Sequence, residues 1–178
     1  VRPAAYPPTS DLLYRNNGDG TFTNVSREAG ITSEGNGFVG LVFDYDRDGY
    51  PDVYVANDMM ENFLYRNSGD GTFEEVGLIA GAGYGGLGEM QNGMGGALGD
   101  VDGDGWIDIA VSNHQGEPSA LYLNIEGDFF EYVSDSAGIT GPTYGVLSWG
   151  TVIRDFDNDG DNDIYFANGH VETSEEAL

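Results

Sequence analysis

Cysteine and lysine are both missing from this 178-residue chain, and the only strong bases are six arginines. Without cysteine there is no disulfide framework and no thiolate, so zinc-finger, iron–sulfur and thiol-dependent readings lapse. No apolar run approaches the roughly 20 residues that a membrane-crossing helix needs. Helical periodicity is absent over any useful length. Against the six bases stand 31 acidic residues, a formal net charge of -25. That field repels phosphate backbones and anionic surfaces, which excludes nucleic acid and membrane insertion as partners. The opening VRPAAYPPTS is a proline-rich lead-in that reads as the middle of something longer.

Acidity of this degree usually means disorder. Aromatics at 12% and hydrophobic residues at 39% argue against it, and so does the placing of the acid. Of the 19 aspartates, 13 fall in three nine-residue windows: DYDRDGYPD (44–52), DVDGDGWID (100–108) and DFDNDGDND (155–163). Two carboxylates about 4 Å apart repel by roughly 4 kcal/mol at an effective dielectric near 20. Such clusters call for a cation as counter-charge.

The windows start 56 and 55 residues apart, and the run after each is repeated as well: DVYVAN, DIAVSN, DIYFAN. A second series runs between them, LLYRNNGDGTFTNV, FLYRNSGDGTFEEV and ALYLNIEGDFFEYV, its third turn departing from the Gly-Asp-Gly form. One period therefore holds four short β-like runs. A glycine-rich run precedes the acidic loop, a continuously apolar run comes after it, and a hairpin completes the set. Four antiparallel strands per repeat of this length is the signature of a β-propeller blade. The expected fold is all-β, a partial propeller of about three blade equivalents with the metal loop between the first two strands. The expected divisions are a half blade at 11–26, blades at 37–77 and 93–135, a half blade at 145–168 and a tail at 169–178.

Each acidic window fits D-x-D-x-D-G-x-x-D. Carboxylates come from positions one, three, five and nine, and a backbone carbonyl from position seven. The candidate ligands are Asp44, Asp46, Asp48, the Tyr50 carbonyl and Asp52; Asp100, Asp102, Asp104, the Trp106 carbonyl and Asp108; and Asp155, Asp157, Asp159, the Asp161 carbonyl and Asp163. Gly49, Gly105 and Gly160 supply the sharp turn at position six. An all-oxygen, multi-carboxylate set selects Ca²⁺ over magnesium, giving three expected calcium sites. An EF-hand would need glutamate at position twelve, where Val55, Val111 and Phe166 stand. The Gly18-Asp19-Gly20 and Gly69-Asp70-Gly71 segments read as plain turns.

With loop, strand and hairpin recurring in fixed order, LYRNNGDGTF and DYDRDGYPDVYVAND resemble the FG-GAP/VCBS repeat, the calcium-loop blade of integrin α-chains. The chain is similar in particular to the cartilage acidic protein family, whose repeats precede an ASPIC/UnbV domain. SWGTVIRDFDNDGDNDIYFANGHV looks like the last blade before that domain. The resemblance covers about residues 11–171. It implies a seven-bladed propeller, calcium in the three loops, an extracellular setting, and a binding or scaffolding role rather than catalysis.

Three further expectations concern function. The partner of a binding module would be a protein or glycan; Tyr54, Tyr84, Trp106, Tyr144 and Trp149 are aromatics that could meet a sugar, although blade packing is the favoured reading of all five. An enzyme would have to be built on His114 or His170, which lack a nucleophile elbow and read better as loop hydrogen-bonders. The half blades carry complementary strands, so the rest of a larger propeller or other copies of the chain would complete them. Phe38, Met94 and Trp149 share a register six residues before each loop and are expected at the propeller axis or its mouth.

Overall fold

Short runs of β-branched and aromatic residues, punctuated by glycine turns, fold here into small antiparallel sheets. The computed structural model describes residues 7–170; the first part of the lead-in and positions 171–178 of the tail lie outside that range. The chain opens with β1 (Thr9–Ser10), β2 (Tyr14–Asn16), β3 (Phe22–Asn24) and β4 (Glu34–Gly35). Next come β5 (Gly37–Phe43), β6 (Asp52–Met60), β7 (Phe63–Asn67) and β8 (Phe73–Glu75). The second full set is β9 (Gln91–Gly99), β10 (Asp108–Asn113), β11 (Ala120–Ile125) and β12 (Phe129–Tyr132). A short helix, α1 (Thr140–Tyr144), precedes β13 (Leu147–Arg154) and β14 (Asp163–Gly169).

Strands β5 to β8 pair in sequence order, and so do β9 to β12, giving two complete antiparallel blades. The hairpin β2–β3 is an outer pair and β13–β14 an inner pair. The fold is a partial propeller. A second contact merges the two complete blades: the end of β6 pairs with the start of β9 at Asp58↔Asn92 and Met60↔Gln91. Met59, with φ of 61°, sits at that shift.

The core lies in the seams between blades. Second-strand side chains alternate between two seams, which is why these strands lack polar alternation. Tyr54 and Ala56 pack with Ile109, Val111 and Tyr122 between the complete blades, while Val55 packs with Phe63, Tyr65 and Ile31 on the N-terminal side. Ala110 and Leu121 meet Ile153 in the third seam. Each fully buried aliphatic contributes about 1.5–3 kcal/mol relative to exposure.

Glycine lets the innermost strands approach. A Cβ at Gly95 would overlap the carbonyl oxygen of Trp149, and one at Gly99 would overlap Ile153. The register shared by Phe38 and Met94 is that of a β-bulge, since Gly37 and Val39 pair with consecutive residues and so do Gly93 and Gly95. A similar irregularity spans Trp149. Such bulges bend a strand and re-aim one side chain.

Helix α1 has no counterpart in the sequence pattern. It forms where Pro142 stands within the first turn, a position that needs no amide donor. Thr143 anchors it, donating to the Ile139 carbonyl at 2.6 Å and accepting from the Ser119 amide at 3.0 Å.

Candidate metal centres

Loop 1 (44–52) joins β5 to β6, loop 2 (100–108) joins β9 to β10, and loop 3 (155–163) joins β13 to β14. The three are wound alike. The sixth-position glycines Gly49, Gly105 and Gly160 have φ of 93°, 92° and 102°, and each amide donates to the first aspartate at 2.9, 2.9 and 3.1 Å. Position four is left-handed too: Arg47 at 57°, Gly103 at 77° and Asn158 at 64°. The fifth-position amide donates to the third-position carboxylate at 3.2, 3.2 and 3.1 Å, and the seventh-position amide to the fifth at 2.9, 2.8 and 3.0 Å. These turns orient alternate carboxylates toward a common centre.

In each loop one oxygen from each of three carboxylates lies within 4.8 Å of the others. The groups are Asp44, Asp46 and Asp48; Asp100, Asp102 and Asp108; and Asp155, Asp157 and Asp163. Asp52, Asp104 and Asp159 stand outside these groups. Tyr50 and Asp161, expected to supply carbonyls, are exposed, and Trp106 is half-buried. Among the described residues no arginine forms a salt bridge with these groups; the one salt bridge is Arg66–Glu74, at 2.9 Å, and the Arg66 charge only opposes the rise at Asp46. Oδ1 of Asp44 is buried without a partner, whereas Oδ1 of Asp100 and of Asp155 accept amides from Gly103 and Asn158 at 2.8 and 2.7 Å. An orphaned carboxylate oxygen beside two more carboxylates fits a hard divalent cation.

The ninth aspartate has a second task. Oδ2 of Asp52 accepts the Tyr45 amide of its own loop at 2.9 Å, and Oδ1 accepts the Asn67 amide of β7 at 2.8 Å. Asp108 does the same with Val101 and Asn124, both at 2.8 Å. Burial pushes both carboxyls up to about 6, with the amide bonds opposing that rise. Asp46 is raised as well, chiefly by burial. Sequence reasoning passes over Asn16, Asn67 and Asn124, although the asparagine recurs at one position in all three hairpins.

The other candidates are dispersed. Tyr54 is fully buried, its hydroxyl donating to the Ala82 carbonyl at 3.0 Å, so it is core and not available to a sugar. Trp106 lies under the Arg47 guanidinium, 3.9 Å from ring centroid to carbon. Tyr84 lines a cavity of about 520 Å³ with Leu78, Tyr132 and several glycines. Tyr144 is exposed on α1, and Trp149 is half-buried on β13. His114 Nδ1 lies 3.1 Å from the Gln115 carbonyl, and His170 is exposed beyond β14. Outside the loops, no other group of His, Asp or Glu among the described residues has metal-holding spacing.

Comparison with known sequences agrees with this geometry. A family model described as an FG-GAP-like repeat matches residues 4–55, 44–111 and 100–166. Human Cartilage acidic protein 1 is 31% identical over 166 residues, covering 91% of this chain and 23% of the relative. The mouse protein is 31% identical over 169 residues, with 91% and 24% covered. The Xenopus tropicalis protein is 29% identical over 150 residues, with 82% and 22% covered. The chain thus spans under a quarter of the length of these relatives.

Proposed function

The chain belongs to the FG-GAP-like repeat family, and we propose that it is an extracellular, calcium-stabilised propeller module for binding or scaffolding. The observation that carries this reading is the set of three carboxylate groups, none of which forms a salt bridge among the described residues. Asp44, Asp46 and Asp48 would hold one ion, Asp100, Asp102 and Asp108 a second, and Asp155, Asp157 and Asp163 a third. The remaining aspartates and the carbonyls of Tyr50, Trp106 and Asp161 would complete the shells. Carboxylate-rich oxygen donors favour calcium. Three ions would bring the formal charge from -25 to -19.

The ions would be structural rather than catalytic. Asp52 and Asp108 spend their oxygens on backbone amides, joining loop to strand, and His114 Nδ1 faces the Gln115 carbonyl. The extracellular setting is supported by calcium-type loops and by relatives named for cartilage. The pairs β2–β3 and β13–β14 are complementary halves of a blade, which supports completion by further propeller sequence or another copy of the chain. For a protein or glycan ligand, the cavity lined by Leu78, Tyr84 and Tyr132 offers an exposed leucine beside two half-buried tyrosines.

Calcium titration of chelator-treated protein by calorimetry tests the reading, with three sites expected. At calcium about 100-fold above the dissociation constant, each site adds roughly 2.7 kcal/mol of stability, seen as a chelator-reversible rise in Tm. No binding heat and an unchanged Tm would remove the calcium assignment.

A further inference from the structure

Loops 1 and 2 are physically joined across the seam between the complete blades. Arg47 reaches out of loop 1, lays its guanidinium 3.9 Å from the Trp106 ring centroid, and donates from Nη2 to the Gly105 carbonyl of loop 2. Asn124 closes the same junction from β11, donating from Nδ2 to Tyr45 of loop 1 at 2.9 Å and to Ile107 of loop 2 at 3.2 Å. The turn at Gly127 leaves no slack. A Cβ there would lie 2.9 Å from the Trp106 ring and 3.0 Å from Asp46 Cα.

We propose that Arg47 is a positioning residue that couples loops 1 and 2, so that they take up divalent cation as a pair while loop 3 fills independently. This rests on the calcium reading above. Arg47 lies between Asp46 and Asp48, two members of the first carboxylate group. An ion there fixes both neighbours, and with them the left-handed backbone from which the arginine projects. The planar guanidinium then stacks on Trp106 and holds the Gly105–Trp106 peptide from its carbonyl side. The Gly105 amide is already held by Asp100 Oδ2 at 2.9 Å. The shape of loop 2 is therefore set partly from loop 1, and by linkage the effect runs equally in reverse.

The junction between loops 2 and 3 lacks this device. Position four of loop 2 is Gly103, with no side chain to send across. What crosses instead is the neutral side chain of Asn162, whose Nδ2 donates to the Asp100 carbonyl at 2.7 Å. One junction carries a cation stacked on an aromatic ring; the other carries one neutral hydrogen bond.

A double-mutant cycle on calcium binding tests the proposal, read by calorimetry and by fluorescence in a Trp149→Phe background that leaves Trp106 as the reporter. Asp44→Asn disables site 1. With Arg47 present it is expected to weaken calcium at loop 2 on the order of tenfold, within the usual range of coupling between sites. In Arg47→Ala the same change should move loop 2 by no more than about twofold, the scatter of independent sites. Arg47→Lys keeps the charge without the planar fork and should restore only part of the coupling. If Trp149→Phe does not fold, calorimetry on the Trp149 protein yields the same cycle. An equal effect of Asp44→Asn with and without Arg47, or none in either, overturns the coupling while three calcium sites survive. Protein that takes up no calcium at all overturns the calcium reading itself.

Discussion

Loops 2 and 3 share the D-x-D-x-D-G-x-x-D pattern and the same turn geometry, yet they close differently. Asp108 is fully buried, with one oxygen on the Val101 amide and the other on the Asn124 amide of β11. Asp163 is exposed; its Oδ2 accepts the Phe156 amide at 3.0 Å, and among the described residues no third strand lies beside β14. Tyrosine tells the same story from the other half blade. Tyr65 and Tyr122 are 1% and 0% exposed in complete blades, whereas Tyr14 on β2 is 52% exposed. The carboxylate cradle is therefore a local product of nine residues, while its attachment to the blade needs the next hairpin along the chain.

The sharpest way to break this comparison is Asp108→Ala against Asp163→Ala. Removing Asp108 leaves the Val101 and Asn124 amides without their acceptor inside the blade. At about 1–3 kcal/mol for each buried unsatisfied donor, the loss of stability should be at least about 2 kcal/mol. Asp163→Ala exposes its amide to water and should cost under about 1 kcal/mol. Urea unfolding of the two variants in calcium-free buffer measures the difference. Equal losses would mean that the third strand contributes nothing to the ninth aspartate.

A second effect should appear in pH. Asp52 and Asp108 titrate near 6 when folded, above the ordinary value of 3.8, so the folded chain holds protons that the unfolded chain has released. Stability without calcium should accordingly be present in full below about pH 4 for these two groups and decline as pH rises through 6. The loss should be up to about 3 kcal/mol per carboxylate, less whatever solvent screening removes. A bound cation favours the ionised form and should flatten or reverse that slope. Thermal unfolding from pH 4.5 to 7.5, with and without calcium, gives both curves. Asp52→Asn and Asp108→Asn should each remove their share of the calcium-free slope.

Much of this architecture is legible in the sequence because it repeats. The recurrence of DVYVAN, DIAVSN and DIYFAN fixes the second strands, and the aspartate spacing marks the loops. What escapes is whatever depends on two repeats meeting. Arg47 looks like a filler position in loop 1, and only the seam shows it on Trp106. The bulges at Phe38 and Met94 adjoin Gly37 and Gly93, but in such glycine-rich strands no single glycine stands out as the mark of a bulge. Helix α1 is a single short element in a link that differs in every repeat, so periodicity has nothing to work on.

The smallest predicted effect sharpens the comparison from the opposite side. Gly105 and Gly160 share φ near 90–100°, at 92° and 102°, although one sits in a complete blade and the other in a half blade. Nothing lies within 4 Å of a Cβ at Gly160, and at Gly105 only Arg47 Nη2, at 3.6 Å, comes that close. Alanine at either position therefore meets backbone strain and not a clash. The cost should be about 1–2 kcal/mol in both, because it arises from the left-handed conformation itself. Asparagine, which tolerates that region better, should recover part of the loss. Matching losses in unfolding experiments on Gly105→Ala and Gly160→Ala would show that the turn is autonomous and that burial acts only on the ninth aspartate. A loss confined to Gly105→Ala would mean instead that the neighbouring blade, through Arg47, holds loop 2 in a conformation loop 3 is free to leave.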